Sequence, residues 1–132
     1  MKRYLGLDIS TSHIGICVSD GDAKILLFDS IDYTKGKSKE LPPKAILFRH
    51  RMTDIIKLYG PFEKVYIEKA LLRFADASRI QILVLLQQFN MLCQFVLYEL
   101  GQNVELIPIS TAMKVALGRG VKPKDFDGDK KA

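Results

Sequence analysis

A chain of 132 residues, of which 48% are hydrophobic and 27% charged, is sized for one folded domain and is too apolar for a disordered segment. Twenty Lys and Arg against 15 Asp and Glu give a formal net charge of +5, which favours an anionic partner, nucleic acid before a membrane surface. Cys17 and Cys93 have neither a CxxC nor a metal-ligand spacing. A disulfide framework is therefore excluded, and a reducing compartment, the cytoplasm, is expected.

The first third of the chain carries three strand patterns. Leu5, Leu7 and Ile9 alternate with small or polar residues, a period of two that is typical of a strand with one buried face. The alternation continues after a tight turn at Thr11 and Ser12, and a Ser-Asp-Gly-Asp turn separates it from a third apolar run. The predicted strands cover residues 4–10, 14–19 and 24–32.

The remainder of the chain alternates helices with strands. A helix begins at Pro42 and Pro43, because proline is tolerated in a first turn, and it ends at Gly60. Gly101 closes a long helix, and Ser110 caps a short one. The patterns predict helices over residues 42–60, 78–100 and 110–118, and strands over residues 65–68 and 104–107.

The element order β-β-β-α-β-α-β-α predicts an α/β fold, a mixed five-stranded sheet with helices on both faces. The domain is expected over residues 1–118, followed by a polar and frayed C-terminal segment over residues 119–132.

The long predicted helix is apolar on two sides and needs two surfaces to pack against, of which the sheet is one. The second is either another helix of the same chain or a second subunit. Glutamines and Asn90 interrupt the run, so we expect a buried helix and not a membrane span, which takes about 20 nearly unbroken apolar residues. The first face comprises Ile82, Leu86, Phe89, Cys93, Val96 and Leu100, and the second comprises Ile80, Val84, Met91 and Phe95.

Two acidic residues occupy strand positions where a charge is costly. Asp8 lies in the first strand, and Glu68 ends the strand Val65-Tyr66-Ile67. If the two strands are parallel neighbours, about 4.8 Å apart, both carboxylates lie together on one face and repel each other. A divalent cation such as Mg²⁺ would remove the repulsion, since it prefers hard oxygen ligands. The alternative is that each acid pairs with a lysine or an arginine, for example Lys69.

Three segments, taken together, resemble a known family. GLDISTSHIGICVSD (6–20) is similar to the opening hairpin of the RNase H-like superfamily, and VYIEKALLRF (65–74) resembles the fourth-strand motif of RuvC-type Holliday junction resolvases. ISTAMKVALGRGVKPK (109–124) is similar to the lysine-bearing segment of that family. The motifs occur in the family's order and span nearly the whole chain. The resemblance is strongest to phage and viral members, for which the location would be the host cytoplasm.

The resemblance implies an RNase H-like fold and a Mg²⁺-dependent endonuclease, with Mn²⁺ able to substitute, that resolves four-way or branched DNA. It also implies a homodimer formed through the helix over residues 78–100, and no membrane partner. Asp8 and Glu68 would be metal ligands and, with Lys114, catalytic residues. Lys114, and either Lys124 or Lys122, would contact DNA phosphates or the scissile group. The basic residues expected to bind DNA are Lys69, Arg73, Arg79, Lys114, Arg119, Lys122 and Lys124.

The sequence departs from the family in two places. Leu71 stands where bacterial members have an aromatic residue, and the acidic D-x-x-D-A-like motif that completes the family's metal site is missing. Asp125, Asp127 and Asp129 do not have EF-hand spacing and are expected to be a solvated tail. Two acids are few for two-metal cleavage. We therefore expect a fragment without its last helix, the alternatives being ligands from the tail or an inactive form.

Two other functions fit parts of the sequence. A YqgF-like nuclease of ribosomal RNA maturation would share the first motif, but neither the acid in IEKAL nor GRGVKPK fits it. A non-catalytic module that binds branched DNA would need only the fold, the dimer and the basic surface. An actin-like or sugar-kinase-like ATPase fits worst, because it needs two such domains. His13 and His50 have no ligand spacing, and His13 is interpreted as a turn residue.

Overall fold

The strands and helices of the computed structural model follow the predicted order over the residues it describes, which are 2–36, 39–69 and 80–108. Three strands come first: β1 (Arg3–Ile9), β2 (His13–Asp20) and β3 (Ile25–Asp32). They are followed by α1 (Leu41–Tyr59), β4 (Lys64–Glu68), α2 (Ile80–Glu99) and β5 (Val104–Ile107). The helix predicted over residues 110–118 and the tail predicted from residue 119 lie outside the described residues.

The five described strands form one mixed sheet in the order β3-β2-β1-β4-β5. β2 pairs antiparallel with both β1 and β3, whereas β4 pairs parallel with both β1 and β5. Tight turns join the antiparallel strands, and α2 lies in the longer connection that the parallel strands β4 and β5 require. The predicted mixed five-stranded sheet is confirmed. The strands that carry Asp8 and Glu68 are parallel neighbours, which is the condition on which the expected closeness of the two acids depended.

One face of the sheet builds the hydrophobic core together with both described helices. The period of two along β1 buries Leu5, Leu7 and Ile9 on that face. Phe48 of α1 and Phe89 of α2 are completely buried in the same cluster. The alternate residues of β1 therefore point to the opposite face. Both described helices pack on the core face, and the third predicted helix lies outside the described residues.

Glycines end both described helices for different reasons. A Cβ at Gly60, after α1, would lie 2.5 Å from the carbonyl oxygen of Ile56, so only glycine fits there. Gly101, after α2, has a φ of +77°. The N–H of Gln102 then donates to the carbonyl of Leu97 at 2.9 Å, which is the hydrogen bond of a Schellman motif that spans the larger number of residues. Both helix ends agree with the sequence prediction.

The turn between β2 and β3 differs from the prediction of a glycine-centred turn over residues 19–22. β2 continues to Asp20, and the positive φ of 63° falls on Ala23. The buried carboxylate of Asp20 accepts the N–H groups of Asp22 and Lys24 at 2.8 and 3.0 Å. These side-chain bonds close a loop of the same length two residues further along the chain, over residues 21–24, an option that aspartate has and that the turn pattern alone does not distinguish.

α2 is buried on one side only. The first predicted face is confirmed from Phe89 onward, since Phe89, Cys93 and Val96 pack into the core. The prediction is wrong for Ile82, which is 61% exposed, because the first nine residues of α2 contribute nothing to the core. The second predicted face is exposed: Ile80, Val84, Met91 and Phe95 are between 40% and 61% exposed.

By length and composition, α2 could also cross a membrane, and 28% of its most apolar window is buried in the fold. Core helices of soluble proteins pass the same test. The C-terminal half of α2 packs on the sheet through Phe89 and Leu97, which are both completely buried. The exposed second face of α2 therefore belongs to a helix whose other face packs in the hydrophobic core.

Candidate functional site

Asp8 and Glu68 lie side by side at the same end of two parallel strands. In the ladder between β1 and β4, Leu7 is paired with Ile67, and each acid is the next residue of its strand. Leu7 and Ile67 are buried in the core, so the alternation of the strands directs both acids to the opposite face. The result is a pair of carboxylates on neighbouring strands about 4.8 Å apart.

The two carboxylates influence each other electrostatically. Burial raises the pKa of Glu68 above its ordinary value of 4.5, and the negative charge of Asp8 raises that pKa further. Glu68 is half-buried, whereas Asp8 is exposed. Ionising both groups together therefore costs free energy unless a cation is shared between them.

Gly15 of β2 lies directly opposite Asp8. A Cβ at residue 15 would be 3.6 Å from the Cβ of Asp8, an ordinary contact, so crowding does not require glycine here. The consequence of the glycine is that β2 carries no side chain beside Asp8, and the carboxylate stays accessible from that side.

The thiols do not add a nucleophile to this region. Burial raises the pKa of Cys17, which lies on the same face as Gly15, and it raises the pKa of Cys93 in the core to about 12. A thiol needs a lowered pKa to act as a thiolate near neutral pH. The two cysteines therefore do not provide a nucleophile beside the carboxylates.

Among the described residues, no lysine or arginine pairs with Asp8 or Glu68. Lys69 is exposed, and its backbone N–H donates to the carbonyl of Ile107 at 2.8 Å. The alternative in which Lys69 neutralises the acids is thus not seen in this part of the chain. The ion pairs found there join Arg49 to Glu99, Arg51 to Asp29, Lys64 to Glu105 and His13 to Asp32.

The other candidate residues lie outside the described ranges. They are Arg73, Arg79, Lys114, Arg119, Lys122 and Lys124, together with the tail acids Asp125, Asp127 and Asp129. Within residues 2–36, 39–69 and 80–108, no group of three or more His, Cys, Asp or Glu side chains is arranged to hold a metal ion. The donor set of this region is therefore the pair of Asp8 and Glu68.

That donor set fits a hard divalent cation in its chemistry. Carboxylate oxygens are the ligands that Mg²⁺ prefers, and both acids project from the same face of the sheet. The repulsion that raises the pKa of Glu68 is the one that a shared cation relieves. Two carboxylates fill only part of an octahedral coordination sphere, and Mg²⁺ commonly keeps several waters in such sites.

The turn between β1 and β2 holds a set of polar side chains that the sequence did not reveal. Nδ1 of His13 lies 3.1 Å from Oγ of Ser12, and Nε2 of His13 lies 3.4 Å from Oδ1 of Asp32. Asp32 in turn accepts the N–H and the hydroxyl of Thr34 at 2.9 and 2.5 Å. Only the pairing of β2 with β3 brings Asp32 opposite His13, so no sequence spacing could have shown the set.

Asn90 is a second residue whose place the sequence did not show. It is 4% exposed, its Nδ2 donates to the backbone oxygen of Glu68 at 3.4 Å, and its Oδ1 accepts from Gln94 at 2.7 Å. A buried amide needs such partners. The side chain ties α2 to the end of β4 that carries Glu68. Its signal in the sequence is a lone polar residue inside an apolar stretch.

The fold is similar to solved structures of RuvC from Thermus thermophilus. One is described as T. thermophilus RuvC in complex with Holliday junction substrate, with a TM-score of 0.71 and 16% identity over 95% of this chain and 74% of that chain. Another structure of Thermus thermophilus RuvC gives a TM-score of 0.65 and 15% identity over 93% of this chain and 74% of that one. At such identities the likeness concerns the RNase H-like fold, which agrees with the predicted fold class.

No protein-family model and no curated protein sequence matches the chain. The expected closeness to phage and viral resolvases gains no support from the two bacterial structures and stays a prediction.

Proposed function

We propose that this protein is a structure-specific endonuclease that cleaves four-way or otherwise branched DNA by metal-dependent hydrolysis of a phosphodiester bond. The observation that carries the proposal is the pair of carboxylates, Asp8 and Glu68, at the same end of two parallel strands. The fold supports it, since it is similar to that of a RuvC solved with a Holliday junction substrate.

Asp8 and Glu68 are the residues that would hold Mg²⁺, with Mn²⁺ able to replace it. A bound divalent cation lowers the pKa of a water and stabilises charge on the leaving oxygen. Glu68 offers a half-buried carboxylate, whereas the exposed Asp8 faces solvent and substrate. Both side chains stand on strands instead of loops, so little rearrangement is needed to bind a shared ion.

DNA brings negative charge towards two acids, so basic residues must surround them. Lys69 follows Glu68 directly and is exposed, which suits a contact with a phosphate next to the cleaved bond. Phosphate contacts orient DNA without reading its sequence, so specificity would come from the shape of the branch. The proposal extends this surface to Arg73, Arg79, Lys114, Arg119, Lys122 and Lys124.

We assign the exposed stripe of α2 to a homodimer interface. At about 100° per residue, the side chains of the stripe fall on one side of the helix. A two-fold dimer would present two identical sites to a branched DNA of approximate two-fold symmetry. The stripe comprises Ile80, Val84, Met91, Phe95 and Tyr98, which are between 40% and 78% exposed.

A second candidate function is binding of branched DNA without cleavage. It is favoured by the small donor set, since the described residues hold no group of three potential metal ligands. Cleavage by two metal ions uses more carboxylates than Asp8 and Glu68 provide. A non-catalytic protein would bind four-way junctions equally well in EDTA and in Mg²⁺ and would leave them intact.

The test is a cleavage assay on synthetic four-way, flap and duplex DNA in Mg²⁺ and in Mn²⁺. We expect cleavage of the branched substrates, lost in Asp8→Asn and in Glu68→Gln. Asp54→Asn and Glu63→Gln are matched controls, because both residues are exposed acids away from the pair. Cleavage that survives both site substitutions would refute the assignment of the acids, and binding without any cleavage would select the second candidate.

A further inference from the structure

Hydrogen bonds from several parts of the chain hold the turn that follows β1. Ser10 Oγ accepts the N–H of His13 at 3.0 Å and donates to its carbonyl at 2.8 Å. The N–H of Tyr33 donates to the carbonyl of Ser12 at 2.8 Å. Nζ of Lys44, on α1, donates to the carbonyl of Thr11 at 2.5 Å. Bonds within the turn, from the residue after β3 and from α1 therefore fix the turn that presents His13.

His13 shares a sheet face with the two acids. Asp8 is paired with Gly15, and His13 precedes Gly15 by two residues on β2, so the side chains of His13 and Asp8 project from the same face. Such diagonal neighbours have Cα atoms about 7–8 Å apart, so one phosphodiester bound at Asp8 could also contact His13. Because Gly15 carries no side chain, no side chain of β2 fills the gap between the imidazole and the carboxylate.

The imidazole is oriented by its neighbours. Asp32, paired with His13 across β2 and β3, stands 3.4 Å from Nε2, which favours a proton on that nitrogen. Nδ1 is turned to the hydroxyl of Ser12 at 3.1 Å. Asp32 is itself fixed by Thr34. More than half of the imidazole side chain is exposed (52%), so a group that enters from solvent can reach the ring.

We infer that His13 is a further catalytic residue of the proposed endonuclease, which donates the Nδ1 proton of its imidazolium form to the oxygen that leaves the cleaved phosphodiester. The inference rests on the proposed function. In the step, the oxygen of a water forms a bond to phosphorus and the bond from phosphorus to the 3′ oxygen breaks. The Nδ1 proton goes to that oxygen, and the ring becomes neutral while it keeps the Nε2 proton facing Asp32. The proton lost by the water passes to solvent, from which the imidazole is protonated again.

A purely structural role would make a different prediction. If His13 only closes the hairpin, its replacement changes stability or DNA binding and slows cleavage regardless of the leaving group. If it supplies a proton, its replacement matters only when the leaving atom needs one. Sulfur in place of the bridging 3′ oxygen leaves as a thiolate and needs no proton.

The experiment compares His13→Asn with the wild type on two junctions under single-turnover conditions in Mn²⁺. One junction has ordinary phosphodiesters, and the other has a bridging 3′ sulfur at the bond that the wild type cleaves. We expect the variant to cleave the oxygen junction at least about 100-fold more slowly, the usual contribution of a general acid, and the sulfur junction at nearly the wild-type rate. His50→Asn, an exposed histidine on α1, is the matched control and should cleave both junctions normally.

Junction binding in Ca²⁺ and the melting temperature of the variant are measured alongside and should match the wild type. Equal loss on both junctions, or no loss on either, overturns the role of His13 while the proposed function stands. If the wild type cleaves neither junction, the proposed function itself falls and the inference falls with it.

Discussion

Replacing Glu68 by glutamine should stabilise the protein in EDTA and remove its stabilisation by Mg²⁺. Two charges on strands about 4.8 Å apart repel by about 0.9 kcal/mol at the dielectric constant of water and by about 3.5 kcal/mol at an effective value near 20. Because Asp8 is exposed, the lower end applies, about 1 kcal/mol. For a domain of this size, that corresponds to a melting temperature about 4 °C higher in Glu68→Gln.

The pH dependence of the stability tests independently whether the ionised Glu68 destabilises the fold in EDTA. The pKa of Glu68 is raised above 4.5 in the folded protein, so the folded state binds more protons than the unfolded state between the two pKa values. The stability of the wild type in EDTA should therefore fall as the pH rises through this interval, and the full cost should be present at neutral pH. Glu68→Gln lacks the group and should lack this component of the fall.

Thermal melts in EDTA and in saturating Mg²⁺ measure the expected stabilisation of Glu68→Gln without metal and its expected loss of stabilisation by Mg²⁺. The wild type should gain about 2.7 kcal/mol when Mg²⁺ is present at roughly 100 times its dissociation constant, whereas Glu68→Gln should gain little. Glu63→Gln, an exposed acid just before β4, is the control and should behave like the wild type. If the variant melts lower than the wild type in EDTA, Glu68 is not repelled by Asp8, and if it keeps the full Mg²⁺ shift, Glu68 is not a ligand of the ion.

Three further predictions concern other parts of the fold. Phe95→Glu, on the exposed stripe of α2, should convert the dimer into a monomer in sedimentation without lowering the stability of the monomer. A wild type that is monomeric at high concentration would exclude a dimer interface on this stripe. Gly60→Ala should cost about 1–3 kcal/mol in urea unfolding, because its Cβ would meet the carbonyl of Ile56, and an unchanged midpoint would be inconsistent with that contact. Asn90→Leu should weaken Mn²⁺ binding in a calorimetric titration, since it removes the bond to the backbone of Glu68; wild-type affinity would exclude this link.

The fold followed from patterns that are local in the chain. Alternating residues along β1 identify a strand and its buried face, and Gly60 and Gly101 mark where the helices end, because backbone geometry at those points depends on the glycine itself. The parallel pairing of β1 with β4 was only a condition of the argument about the two acids, and the order of the strands in the sheet meets that condition. The position of the turn after Asp20 was not predicted. It depends on two hydrogen bonds that the Asp20 side chain accepts, and the pattern of turn residues does not show which side chain will form them.

The candidate site was predictable only in part. Asp8 and Glu68 stand out because a charge inside an apolar strand is unusual. They lie side by side once β1 and β4 are parallel neighbours in the sheet. The surroundings of His13 depend on the exact register between β2 and β3, which a sequence pattern does not fix. Asn90 was hidden for a similar reason, since its partner is a backbone oxygen of another element. The exposure of Ile82 shows that periodicity finds the faces of a helix but not what covers them.

Whether Asp8 and Glu68 share one divalent cation can be seen in a crystal soaked in Mn²⁺, with data collected at the manganese absorption edge. In the wild type, an anomalous peak should lie within coordination distance of an oxygen of each carboxylate, and it should disappear in Asp8→Asn. A peak elsewhere, or two carboxylates that turn away from each other with no peak between them, would contradict a shared ion.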